Sequence, residues 1–221
     1  MSRPHPHTWD LINRHKAWFK ELSMYTGYSW SEYVEEYRWA RREFNQAARH
    51  SLRDAFETDW CLLRQPFYHR HSRWPDVWRE VQRVDGSRVL DWGCGTGEML
   101  AWLDRDAWTK GKCMALHGYD FSSPHFDYCT WRLRRRGYTN GLTQAYDVVV
   151  CYETLEHVDT CVQTVHKLMS LVKPGGALMW DFIDAHDGGA NCATPVARKE
   201  VLRLLNAQHN GQREVWRKPL G

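Results

Sequence analysis

No stretch of this 221-residue chain is apolar enough for a membrane-spanning helix, and mean hydropathy is −0.67. The first residues, Met1 to Thr8, contain no apolar core of a secretory leader. No C-x-x-C pair occurs among the seven cysteines, and their odd number argues against a disulfide frame, so free thiols in a reducing cytoplasm are expected. No metal is expected either, because His5, His7, His69 and His71 lack Cys or acidic partners at ligand spacing. Charge of one sign is also scarce: 30 Lys and Arg against 27 Asp and Glu leave +3, too little to announce a nucleic-acid partner.

Tryptophan, by contrast, is abundant: there are thirteen, seven of them before residue 86. Residues 1–85 read as an aromatic-rich helical extension or lid, and residues 86–221 as a separate domain. Within the first, Leu11, Trp18 and Leu22 share a helical face, Gly27-Tyr28 breaks the pattern, and Ser29-x-x-Glu32 matches a capping box. Tyr33, Tyr37, Ala40, Phe44 and Ala47 then recur at helical spacing, a further helix is expected from about Ser51 to Leu63, and Pro75 opens a short one ending near Val81.

The chain is organised around Val89-Leu-Asp-Trp-Gly-Cys-Gly-Thr-Gly97. A short buried strand runs into three alternating glycines and a helix carrying Met99, Leu100 and Leu103 on one face. Such a turn lets a ligand lie against bare backbone. The spacing Gly93-x-Gly95-x-Gly97 is not the G-x-G-x-x-G of dinucleotide sites. Asp91 just before it would repel a pyrophosphate and suits a cationic group. This stretch resembles motif I of the class I S-adenosylmethionine-dependent methyltransferases, whose ligand carries an ammonium and a sulfonium.

The strand-helix alternation continues in a way that points independently to a mostly parallel sheet with helices on both faces. Met114 to Asp120 reads as a strand ending in an acid, followed by a helix from about His125 to Arg136. Tyr146 to Cys151 is an apolar strand, a helix covers about Asp159 to Val172, Lys173-Pro-Gly-Gly176 reads as a sharp turn, and Ala177 to Ile183 as another strand. Leu155-Glu-His-Val158 and Leu171-Val-Lys-Pro-Gly-Gly176 are also similar to the family, so the resemblance runs from about Arg88 to Ile183. It implies a Rossmann-like fold that binds S-adenosylmethionine and releases S-adenosylhomocysteine. Cofactor contacts are expected at Asp91, Gly93, Cys94, Gly95, Asp120, Phe121, Cys151 and Tyr152. Asp120 would take the ribose hydroxyls from an exposed strand end, and Phe121 would flank adenine.

The sequence departs from the family between Asp120 and Asp147, where little room is left for a third strand, and at the C-terminus. There a helix from Pro195 to Gln208 and one strand, Gln212 to Trp216, stand where two antiparallel strands are usual. A clipped sheet edge leaves room for the N-terminal helices or a second subunit, so a homo-oligomer is compatible. His157 is the candidate general base, although its motif recurs with unrelated acceptors, and His69 and His71 are further candidates. Arg132, Arg134, Arg135 and Arg136 read as a solvated helix end. The expected activity is methyl transfer to a small-molecule acceptor. The alternatives are an RNA or protein methyltransferase, or a non-catalytic binding or assembly protein that keeps the fold.

Overall fold

The computed structural model describes residues 16–47, 62–63, 74–135, 142, 145–181, 194–206 and 215–220. Five strands form one sheet: β1 Arg88–Trp92, β2 Ala115–Tyr119, β3 Tyr146–Cys151, β4 Val172–Trp180 and β5 Val215–Arg217, in the order β2-β1-β3-β4-β5. The first four are parallel and β5 pairs antiparallel to β4. The parallel pairs need helical crossovers, and these cover both faces.

On one face lie α3 (Trp74–Val81), α4 (Glu98–Thr109) and α5 (Pro124–Arg135). Their Val77, Leu100, Leu103 and Leu133 meet Val89, Leu116, Val148 and Val150 of the strands. On the other lie α6 (Cys161–Leu171) and α7 (Pro195–Asn206), where Val165, Leu168, Val201 and Leu205 meet Leu90, Val149, Leu178 and Trp216. Alternate residues of β1 and β3 enter opposite cores, so both strands are apolar almost throughout. Among the described residues no strand lies between β2 and β3, and β2 is the sheet edge there.

The N-terminal segment contributes α1 (Lys16–Thr26) and α2 (Trp30–Ala47), separated by Gly27 at φ 78°. The capping box forms as expected: Glu32 Oε2 accepts the Ser29 N–H at 2.8 Å, and Ser29 Oγ faces the Glu32 N–H at 3.4 Å. Leu22, Tyr33, Ala40, Leu62 and Leu63 form a third core with Tyr128 of α5, and the Tyr33 hydroxyl donates to the Leu63 carbonyl at 2.6 Å. The rest of the expected helix from Ser51 lies outside the described residues, as do His5, His7, His69, His71 and Arg136.

The Lys173-Pro-Gly-Gly176 stretch is not a turn before β4 but an irregularity inside it. Tyr146 pairs with Val172 and Val148 with Ala177, so the intervening residues loop out of the ladder. Asp147 fixes this corner: its carboxylate takes the Lys173 ammonium at 2.9 Å and the Arg88 N–H at 2.9 Å.

Candidate functional site

The sheet order reverses between β1 and β3, and the loops leaving β1, β2 and β3 stand side by side at that switch point. The glycine turn after β1 is left-handed at Gly93, Gly95 and Gly97, with φ of 79°, 52° and 74°. The Gly93 N–H donates to the Tyr119 carbonyl at 2.8 Å, and the Gly97 N–H to the Cys94 carbonyl at 2.8 Å, which closes the turn onto the end of β2.

Asp120 is integrated into this turn. Its Oδ2 accepts the Gly95 N–H at 2.7 Å and its Oδ1 the Phe121 N–H at 2.8 Å. The expectation of an exposed strand-end acid is therefore corrected: the side chain is 10% exposed. Burial pushes its carboxyl up to about 6 against those two hydrogen bonds. Phe121 beside it keeps 36% of its surface open, and its ring meets His125 edge-on at 5.6 Å.

Asp91 lies deeper, 7% exposed at the mouth of β1. Burial, and then the Asp120 charge, raise its carboxyl to about 8. No ion pair to Asp91 is present among the described residues. A buried carboxylate without a cation is costly, so the side chain keeps its proton near neutral pH, and a positive charge placed beside it would favour the ionised form. The nearby thiols do not serve that purpose: Cys94 Sγ faces Cys129 Sγ of α5 at 3.6 Å, and Cys151 is fully buried in the α6 core. Burial raises both Cys94 and Cys151 well above the usual thiol range.

Tyr152 follows β3 half-buried, and His157 ends a short 3-10 turn, Leu155–His157, where its N–H donates to the Thr154 carbonyl. Sequence reasoning missed how this loop is held. Glu153 is left-handed at φ 51° and its N–H donates to Asp181 Oδ1 at 2.6 Å. Thr154 packs directly under Gly93, so that a Cβ on Gly93 would lie 2.8 Å from the Thr154 Cβ. Neither contact has a local sequence signal, because each joins residues far apart in the chain.

Arg132 is a further correction. It does not sit in a solvated helix end but is 5% exposed and paired with Glu21 and Glu98, whereas Arg134 is exposed.

An open doubly wound sheet with a left-handed glycine turn and two largely buried acids at its switch point defines a class of Rossmann-like α/β proteins, whose ligands bind at that point. Comparison with known sequences narrows it: the chain belongs to the methyltransferase-domain family, which it matches over residues 67–216. It is 32% identical over 129 residues to a ubiquinone biosynthesis O-methyltransferase of Klebsiella pneumoniae subsp. pneumoniae, covering 54% of this chain and 52% of the relative. A protein of the same name from Saccharophagus degradans is 33% identical over 135 residues, 57% of this chain and 56% of the relative. The chain thus spans about half the length of the curated relatives it matches. Solved structures that align with it include the [4+2]-cyclase SpnF, at 19% identity and a TM-score of 0.47, covering 59% of this chain and 55% of that one. An S-adenosylmethionine-dependent methyltransferase from Thiobacillus denitrificans, in complex with S-adenosyl-L-homocysteine, aligns at 21% identity and a TM-score of 0.38, covering 50% and 48%.

Proposed function

We propose that the chain binds S-adenosylmethionine at the β1-β3 switch point and transfers its methyl group to a small-molecule acceptor. The observation that carries this reading is the buried, cation-less Asp91 beside a left-handed glycine turn. The donor set fits the ligand: an acid for an ammonium, bare backbone at Gly93 to Gly97, a second acid for ribose hydroxyls, and an open aromatic face at Phe121. The ligand, when bound, supplies an activated methyl on a sulfonium.

The protein's task is then alignment and exclusion of water. Asp91 orients the ammonium end and Asp120 the ribose, exchanging part of its bonding to the Gly95 and Phe121 amides for the hydroxyls. Tyr152, on the loop held by Asp181 and Thr154, borders the methyl side. His157 lies on the same loop and is the candidate to accept an acceptor proton. The Cys94 and Cys151 side chains face the cores, so their contribution is assigned to backbone. Within the N-terminal extension, α1 and α2 act as the lid over the acceptor, which the docking of α1 on α5, next to the turn, supports, whereas α3 belongs to the sheet core. A reducing, cytoplasmic setting is proposed on the five free cysteines among the described residues.

Calorimetry tests the reading. S-adenosylmethionine and S-adenosylhomocysteine are expected to bind, and nicotinamide dinucleotides far more weakly; tighter binding of a dinucleotide would sink the proposal.

A further inference from the structure

Arg132 is an arginine of α5 with almost no solvent contact, which is uncommon for this residue unless it is paired. Its guanidinium is divided between two elements that are remote in sequence. Nε and Nη2 reach Glu21 Oε2 of α1 at 2.9 and 2.8 Å. Nη1 reaches Glu98 Oε1 at 2.7 Å and the Thr96 carbonyl at 3.4 Å. Thr96 is inside the glycine turn and Glu98 is the first residue of α4, directly after left-handed Gly97.

The same helix supports the turn one helical step earlier. Cys129 touches Cys94 and lies under Gly97, where a Cβ would come within 2.7 Å of its Sγ. On its outer side α5 receives α1: Tyr25 packs on Tyr128 at 5.1 Å and on Trp131 at 5.3 Å, beside fully buried Leu22. One buried fork therefore joins the docked N-terminal helix to the backbone of the ligand turn. Loss of Glu21 would leave the guanidinium half-compensated and free to shift away from Thr96 and Glu98.

We propose that Arg132 is a positioning residue that couples docking of α1 to the geometry of the glycine turn, so that cofactor binding and closure of the N-terminal segment favour each other. This inference rests on the cofactor reading above. Linkage makes the coupling reciprocal: the ligand protects α1, and α1 tightens the ligand.

The experiment uses the full chain, S-adenosylhomocysteine as the probe, calorimetry for affinity, and amide exchange of residues 16–26 with and without the probe. In the wild type the probe is expected to slow exchange in α1. Glu21→Gln, which keeps size and removes the charge, is expected to weaken binding roughly fivefold and Arg132→Met more, with loss of the α1 response. Arg132→Lys keeps a charge without the fork and is expected to fall between wild type and Arg132→Met. If Arg132→Met does not fold, Glu21→Gln decides. Binding by the wild type without slower α1 exchange, or a folded Glu21→Gln chain with unchanged affinity and response, overturns the coupling alone. No binding by the wild type overturns the cofactor reading and the coupling together.

Discussion

Gly93 and Gly27 share a left-handed backbone, at φ 79° and 78°, yet for different reasons. Gly27 only turns the chain between α1 and α2, and nothing lies within 4 Å of where its Cβ would be. Gly93 also has the Thr154 side chain against it. Alanine at either position meets the left-handed cost of about 1–2 kcal/mol. Gly93→Ala additionally requires the Tyr152–Thr154 loop to move. Thermal unfolding is expected to show a clearly larger drop for Gly93→Ala than for Gly27→Ala; equal drops would mean that the loop yields freely. The glycine spacing was thus legible in sequence, but half of its cause was not, because Thr154 approaches from the loop after β3. Asp120 was legible as an acid at the end of β2 and misjudged in environment. Asp120→Ala is expected to weaken cofactor binding by about 1–3 kcal/mol, the range for charged hydrogen bonds. It also releases the Gly95 N–H, so calorimetry on Asp120→Asn, which retains an acceptor there, should give a smaller loss.

Elements were readable where the determinants are local. The Ser29/Glu32 box, the apolar runs of β1 and β3, and Pro75 near the start of α3 each signal through neighbours within a few residues. They were misread where partners are distant. Lys173-Pro-Gly-Gly176 looks like a turn by composition but is held within β4 by backbone pairing of Gly175 and Gly176 with Lys218, just after β5, and by Asp147. The arginine run on α5 looks like a solvated helix end until α1 and α4 bring carboxylates to Arg132. The N-terminal helices belong to the same category: periodicity shows an apolar stripe, not where it docks. Their core with Tyr128 and Trp131 is separate from the two cores of the sheet. Leu22→Ala, at a fully buried position, is expected to cost about 2–5 kcal/mol locally. Amide exchange should then quicken in α1 and α2 while β1 and β3 keep their protection. Equal loss throughout would mean that the segment and the sheet unfold as one unit.

At the scale of the whole molecule, the fold gathers two acids at one switch point, and the imidazole that lies 4.0 Å from Asp120, His125, is kept neutral by burial, which lowers it to about 4. Asp91 is raised from the ordinary 3.8 to about 8, chiefly by burial and then by Asp120. The ligand-free native state therefore holds a proton there between about pH 4 and 8 that the unfolded chain has lost. Its contribution to stability is fully present below the unfolded value and is lost as pH rises through about 8. Asp120, raised to about 6, works the same way, and exposed Glu32 and Glu200, which their hydrogen bonds lower, work the opposite way, so the signature is the difference between wild type and Asp91→Asn: thermal stability of the wild type should fall more steeply from pH 5 to 9. Binding reverses the preference. A ligand ammonium favours ionised Asp91, so binding near pH 7 should release a proton, measurable by calorimetry in buffers of different ionisation enthalpy. Affinity should rise by up to about tenfold per pH unit from pH 6 toward 8, then turn over as the ligand's own amine, with a pKa of about 8, loses its charge. Asp91→Asn should bind weakly at every pH and lack the rising limb. A wild-type affinity flat from pH 6 to 8, with no proton released, would remove Asp91 from the ammonium site.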